Sequence, residues 1–467
     1  MNTTRLTQKI LLHGTLLMLS LGSPVMAQAD PVDDKIRHYM AASSIPGVAV
    51  AVIRDGRVEV SRGYGVANLE WGTPAAPDTA FQLASATKVF TAVALLRLVE
   101  EGSLGLDDPV SRFLPDAPEA WSRITVRHLA DHTSGLSDEL PSHDGSMAGL
   151  VAAAMATPLL FEPGAQARYG FTDGVVLRAV MEAAADMPFE RIIEDRLVLP
   201  LKLKDTRFDH AWQGGPIRSS SVTPRRAATY AWQDGEQRNS DFLYGEVGYA
   251  AGGLYSSARD LAALFVALDN GTLLSPGSLE ALQTPSRLAD GRLGEFAIGW
   301  TAKRYRGTPV AGHSGGPALA DVLRASDHGL TVVVLTNQQR LYPLLAESVA
   351  DLYLPAAPER QALSDAHPLI TENMEGLMKE AASGAVDPGR LSEQGQRALA
   401  PMLQDLGPVL FGMVGPLVGS ALIEDAASGS GRLRRYLVSF QNKEMLWQVR
   451  TDAQGRVEEL RPVSEAF

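Results

Sequence analysis

Two apolar runs far apart in the chain constrain the fold most: Gly47-Val48-Ala49-Val50-Ala51-Val52-Ile53 and Leu330-Thr331-Val332-Val333-Val334-Leu335. Each is short, rich in β-branched residues and bounded by turn signals, the pattern of a strand buried on both faces. Asp55-Gly56 follows the first run and predicts a hairpin into Arg57-Val58-Glu59-Val60. Phe296–Trp300, Thr308–His313 and Ala320–Arg324 read as further strands before the second run. Between the two groups, Ile124 to Glu194 is mainly helix and loop, and Ala250 to Asn270 reads as one helix. The expectation is an α/β domain: one sheet built from both ends of the domain, flanked by helices, with a helical lobe inserted between.

The 467 residues exceed what one ordinary domain needs. Residues 30–355 are assigned to the first domain. At Pro355-Ala356-Ala357-Pro358 the pattern restarts, and residues 356–467 are expected to form a small α+β domain. Its helices are predicted near 369–383 and 391–404, and its three strands within 435–440, 445–449 and 456–460. Leu406 to Ile423 carries no charge and is long enough for a membrane span, with a Gly415-x-x-x-Gly419 spacing. Pro408, Pro416 and the glycines between argue instead for a buried helix-loop-strand segment.

Residues 1–29 are set apart from the fold. Arg5 and Lys9 precede an apolar stretch, Ile10 to Leu21, and small residues stand at Val25-Met26-Ala27 and Ala27-Gln28-Ala29. This is the pattern of a signal peptide and points to a periplasmic or secreted protein. The formal charge of −12 disfavours nucleic acid as a partner. The absence of cysteine removes disulfides, thiolate metal sites and a cysteine nucleophile.

Ser85-Ala86-Thr87-Lys88 opens the apolar run Val89 to Val99, predicted to be a helix starting at Ser85. Residues three apart share a helix face, which would set the Lys88 amine beside the Ser85 hydroxyl. A serine needs a base to become a nucleophile, and a desolvated lysine can be one. Two other patches join this pair. Tyr169 follows Pro163-Gly164-Ala165-Gln166-Ala167-Arg168, and its phenol could relay protons. His313-Ser314-Gly315-Gly316 ends a strand, where bare backbone N–H groups could face a developing oxyanion.

These motifs resemble the serine β-lactamase-like hydrolases: class C β-lactamases, D-alanyl-D-alanine peptidases, D-aminopeptidases and related esterases. The resemblance covers about residues 33–355. It extends to Ile124–Leu129 leading into His132-Thr133-Ser134-Gly135-Leu136, to Ala250–Leu261 and to Leu335-Thr336-Asn337. It implies Ser85 as the acylated nucleophile, Lys88 as its base and Tyr169 as a proton-transfer aid. His313 takes the place of the strand-edge Lys or His, Ser314 binds substrate or supports the strand, Gly315 lies at the substrate, and the N–H groups of Ser85 and Gly316 form the oxyanion hole. The substrate implied is a small ester, amide or peptide, with no cofactor and no metal. The tail after Pro358 resembles an accessory domain of some members.

Two departures bear on substrate. Where the family has Tyr-x-Asn this chain has Tyr169-Gly170-Phe171, so the amide that helps hold a substrate amide is missing. This favours esterase-like activity over a D-amino peptidase or β-lactamase. Pro317-Ala318-Leu319 replaces a glycine-bearing segment and is expected to narrow the cleft.

Other readings compete. Gly312-His313-Ser314-Gly315-Gly316 fits a nucleophile elbow, with Ser314 attacking and His328 or His367 as base. His128 and His132 have metal-ligand spacing on a helix but lack the Glu of a His-Glu-x-x-His motif, and are read as structural. Asp131 and Asp173 are read as capping or turn residues, and Trp300 as core. A different class of function, an acylated sensor or an inactive binding module, would use the same three motifs without turnover.

Overall fold

The structure, a computed structural model, describes residues 30–210, 219–241, 244–316, 319–339 and 345–465. The expected signal peptide lies outside them. The main sheet is antiparallel and seven-stranded. Its strands are β1 (Gly47–Arg54), β2 (Arg57–Asn68), β3 (Thr73–Pro74), β4 (Thr301–Tyr305), β5 (Thr308–Gly315), β6 (Ala320–Ala325) and β7 (Leu330–Thr336), in the order β3-β2-β1-β7-β6-β5-β4. The two apolar runs thus pair with each other, Val50 opposite Val334. Asp55 and Gly56 both take positive φ, 49° and 71°, as a two-residue hairpin turn between right-twisted strands requires.

The run in β1 is continuous because both faces are covered. Ala49, Ala51 and Ile53 enter a core with the helices α2 (Lys88–Glu100) and Ala258–Asp269. Val48, Val50 and Val52 enter a second core with the N-terminal helix α1 (Pro31–Ala42) and the C-terminal unit. The helical lobe between β3 and β4 carries α3 (Phe171–Ala185).

The C-terminal unit holds α4 (Pro368–Ala381), α5 (Glu393–Val414) and a four-stranded antiparallel sheet, Leu417–Ser428, Gly431–Phe440, Glu444–Thr451 and Val457–Pro462. The first of those strands begins inside the helix-loop-strand segment expected over 406–423. The uncharged segment 406–423 divides at Gly415, whose φ of 81° ends α5, and continues as this strand. No helix among the described residues is long and apolar enough to cross a membrane. Lys443, on the hairpin after Gly431–Phe440, reaches the main sheet and the helix Leu345–Ala350 beside it: its Nζ lies 3.1 Å from Glu347 and donates to Tyr305 Oη at 2.7 Å.

Three local expectations are corrected. Ser85 does not start an α-helix: Ala84–Thr87 is a 3-10 turn and α2 begins at Lys88. Ala250–Asn270 is not one helix but a short helix Tyr249–Gly252, a strand Leu254–Ser256 and the helix Ala258–Asp269. Phe296–Trp300 is a bend rather than a strand, and Trp300 is fully buried in the core.

Candidate active site

The turn carrying Ser85 is held from three sides. Leu83 donates its N–H to Leu254 O at 2.9 Å, and Leu254 donates to Thr87 Oγ1 at 3.1 Å. Gly315 closes the third side: a Cβ there would stand 1.8 Å from Leu83 O. Only glycine lets the end of β5 press against the nucleophile turn. Ala84, immediately before Ser85, has φ 46°, a left-handed conformation costly for alanine and sustained here by that packing.

Lys88 is buried, 6% exposed. Its Nζ donates to Tyr169 Oη at 2.8 Å and to the Ala251 carbonyl at 3.0 Å. The second contact supplies a fixed acceptor for the amine at a site where Phe171 offers none. Lys88 and Tyr169, 81 residues apart, are therefore brought together, and Ser85 lies on the turn that leads into Lys88.

Tyr169 packs on His132, Phe296 and His313, with ring centroids 4.7, 6.0 and 5.8 Å away. Below it, His132 Nδ1 pairs with Asp173 Oδ2 at 2.8 Å, and Ser134 Oγ donates to Asp173 Oδ1. Burial pushes the Asp173 carboxyl up, and these two donors oppose the shift. Arg168 donates its N–H to His132 O at 2.8 Å. The segment 132–134 is thus the platform under Tyr169. Asp173 is correspondingly not a helix cap; the N-terminus of α3 is capped by Asp138, which accepts from Phe171 N at 3.0 Å and Thr172 N at 2.8 Å.

His313 is buried beside Tyr169. Its Nδ1–H donates to Ser314 O at 2.7 Å, an assignment that follows from the carbonyl's being an acceptor only. Its Nε2 has no partner among the described residues. Burial, and then the nearby Lys88 amine, push its pKa down to about 3. The imidazole is neutral, and the strand edge carries no cation.

Alternation along β5 sends His313 and Gly315 to the cleft and Ser314 to the other face. Of the two roles expected of Ser314, the geometry removes substrate binding and keeps support of the strand: its Oγ donates to Asp321 Oδ1 at 2.8 Å, on the side facing the C-terminal unit. The elbow reading fails on the same geometry. Ser314 lies within an antiparallel strand with no helix following, His328 meets Thr308, and His367 stands before α4. Gly316 is exposed, with open space around the position of a Cβ. Pro317 and Ala318 lie outside the described residues, and Leu319 is turned into the core at 3% exposure, so it does not narrow the cleft.

Phe171 is part exposed at the start of α3, its ring edge against Gly248. His128 and His132 do not share a site, because the helix Val126–Ala130 ends between them and His128 closes its own capping box. No group of metal-ligating side chains occurs among the described residues.

Two contributors were missed. The Ala251 carbonyl is invisible in sequence because any residue carries one. Tyr244 lies over Gly252, where a Cβ would stand 2.4 Å from the ring; burial and the neighbouring Tyr169 push its phenol up to about 12. The paired Gly252-Gly253 was the available signal.

An antiparallel sheet with helices on both faces and a Ser-x-x-Lys turn against a glycine strand edge defines a serine hydrolase. The comparisons agree: the Beta-lactamase family profile matches residues 32–351, and the chain belongs to that family. It is 28% identical to Penicillin-binding protein 4* of Bacillus subtilis over 314 residues, 62% of this chain and 68% of that protein. Against Protein flp of Staphylococcus aureus it is 28% identical over 187 residues, and the match spans only 38% of each chain. Among solved structures, the octameric penicillin-binding protein homologue from Pyrococcus abyssi aligns over 93% of this chain and 98% of that one, with TM-score 0.60 and 21% identity. The D-stereospecific amidohydrolase from a Streptomyces species covers 65% of this chain and 94% of its own, with TM-score 0.52 and 28% identity.

Proposed function

We propose that this protein is an exported acyl hydrolase that cleaves a small ester or amide through an acyl-enzyme on Ser85. The observation that carries the reading is the buried Lys88 amine, bonded to Tyr169 Oη at the foot of the Ser85 turn. Lys88 takes the hydroxyl proton as Ser85 Oγ attacks the carbonyl carbon. The N–H groups of Ser85 and Gly316 receive the oxyanion. The bond to the leaving group breaks as Tyr169 passes it a proton. Water then attacks the ester, its proton going to the Lys88–Tyr169 pair, and Ser85 is restored.

Two features favour substrates without a carboxylate. His313 is neutral, so the strand edge lacks a cation for an acid group, and Phe171 has no amide to offer. β-Lactams and peptides with a free C-terminus both carry that acid. Short-chain esters are therefore expected to turn over faster than a chromogenic cephalosporin. The similarity to the Streptomyces amidohydrolase supports amides as the second substrate class. Export rests on residues 1–29, and N-terminal sequencing of the secreted protein should begin near residue 28 or 30. The division near residue 355 belongs to the same proposal.

The test is intact-mass labelling of mature protein with a fluorophosphonate, comparing wild type, Ser85→Ala and Ser314→Ala. Loss of label in Ser85→Ala alone is expected; loss in Ser314→Ala alone would overturn the assignment. With p-nitrophenyl acetate, release well beyond one equivalent separates an enzyme from a sensor that is acylated once.

A further inference from the structure

An aromatic path leads away from Lys88. Tyr169 accepts from its amine, and Tyr244 covers Gly252 beside the Ala251 carbonyl that the same amine contacts. A Cβ at Gly248 would stand 3.2 Å from both Tyr244 Cδ1 and Phe171 Cε2, so these two rings flank one bare backbone position. Beyond Phe171 opens a cavity of about 710 Å³, within the range of small-molecule sites. Leu140, Met147, Leu150, Phe171 and Val247 give it an apolar floor.

Its ionisable lining is two carboxylates and one imidazole, that of His143. Asp138 and Glu246 line it, and no Lys or Arg does among the described residues. Glu246 is not neutralised by its ion pair. The buried Arg178 is shared among Glu182, Glu190 and Glu246, at 2.9, 3.6 and 3.2 Å, so three carboxylates meet one guanidinium.

We propose that this cavity is the subsite for an apolar arm of the substrate, and that Glu246 and Asp138 make it select an arm ending in an ammonium over one ending in a carboxylate. The inference rests on the acyl-hydrolase reading above and adds the substrate class to it. Tyr244 and Phe171 form the wall along which the arm runs. The preference acts at the far end of the arm, so it is independent of the bond cleaved.

Two matched probe sets test it. One is the p-nitrophenyl esters of hexanoic, 6-aminohexanoic and adipic (mono) acids. The other is the acetate esters of hexanol, 6-aminohexanol and 6-hydroxyhexanoate. In the set whose arm enters the cavity, kcat/KM for the cationic member should exceed that for the anionic member by roughly tenfold, as for a charge a few ångströms from partly solvated carboxylates. The ratio within each variant is the readout: it should shrink in Glu246→Gln and reverse in Glu246→Lys. A ratio near one in both sets, or one that Glu246→Lys leaves unmoved, overturns the subsite. Failure of wild type to hydrolyse p-nitrophenyl acetate or to take a label on Ser85 would overturn the acyl-hydrolase reading, and the subsite with it.

Discussion

The neutrality of His313 has a measurable cost in acid. Its folded pKa is pushed down to about 3, against 6.5 in an accessible chain. The unfolded chain binds the proton first, so unfolding is favoured as pH falls below 6.5 and increasingly so down to about 3. Each unit of separation corresponds to about 1.4 kcal/mol, so the loss between pH 7 and pH 5 is about 2 kcal/mol. His313→Gln removes the titration while keeping a polar side chain near the Ser314 carbonyl. Urea unfolding of both proteins, followed by the fluorescence of buried Trp121 and Trp300, gives the gap in stability at each pH. The gap should narrow by about 2 kcal/mol on going from pH 7 to pH 5. A constant gap would show that His313 takes up its proton as readily in the folded protein as in the unfolded chain, and the argument against carboxylate substrates would then be weakened.

Two further outcomes follow from packing and charge. Gly315→Ala puts a methyl 1.8 Å from Leu83 O, and should cost about 1–3 kcal/mol in stability and slow fluorophosphonate labelling, read by Tm and by mass. Lys443→Ala strips one of the two lysines from Glu347. Burial alone would raise this carboxyl, but Lys303 and Lys443 hold it down to about 2. The variant should lose about 3 kcal/mol at pH 7. In the wild type the depressed carboxyl stabilises the fold above pH 4.5, and that contribution is lost as pH falls toward 2. The difference between the two proteins should therefore shrink in acid.

How far the sequence could be read depended on the range of the forces involved. The strand runs of β1 and β7 and the Asp55-Gly56 turn are local patterns, and each stands in the structure as a strand or a hairpin. Reading failed where a distant contact overrode the local pattern. Phe296–Trp300 has strand composition, yet Phe296 is drawn against the Tyr169 platform and Trp300 into the core. Ser85 sits in a helix-like sequence, yet its turn is 3-10 and packs directly against Gly315 at the end of β5. The opposite facing of Ser314 was legible in principle, since adjacent strand residues point to opposite sides once His313 is placed in the cleft.

Residue types and short-range spacing were enough to determine which side chains could carry acyl transfer and which segments formed the sheet, because both depend on covalent geometry and period. Tertiary structure alone decided that Lys88 is buried against the Ala251 carbonyl, that His313 is neutral, and that Phe171 borders a cavity lined by Asp138 and Glu246. Desolvation and the approach of charges arise only when remote segments meet, and no local pattern records them.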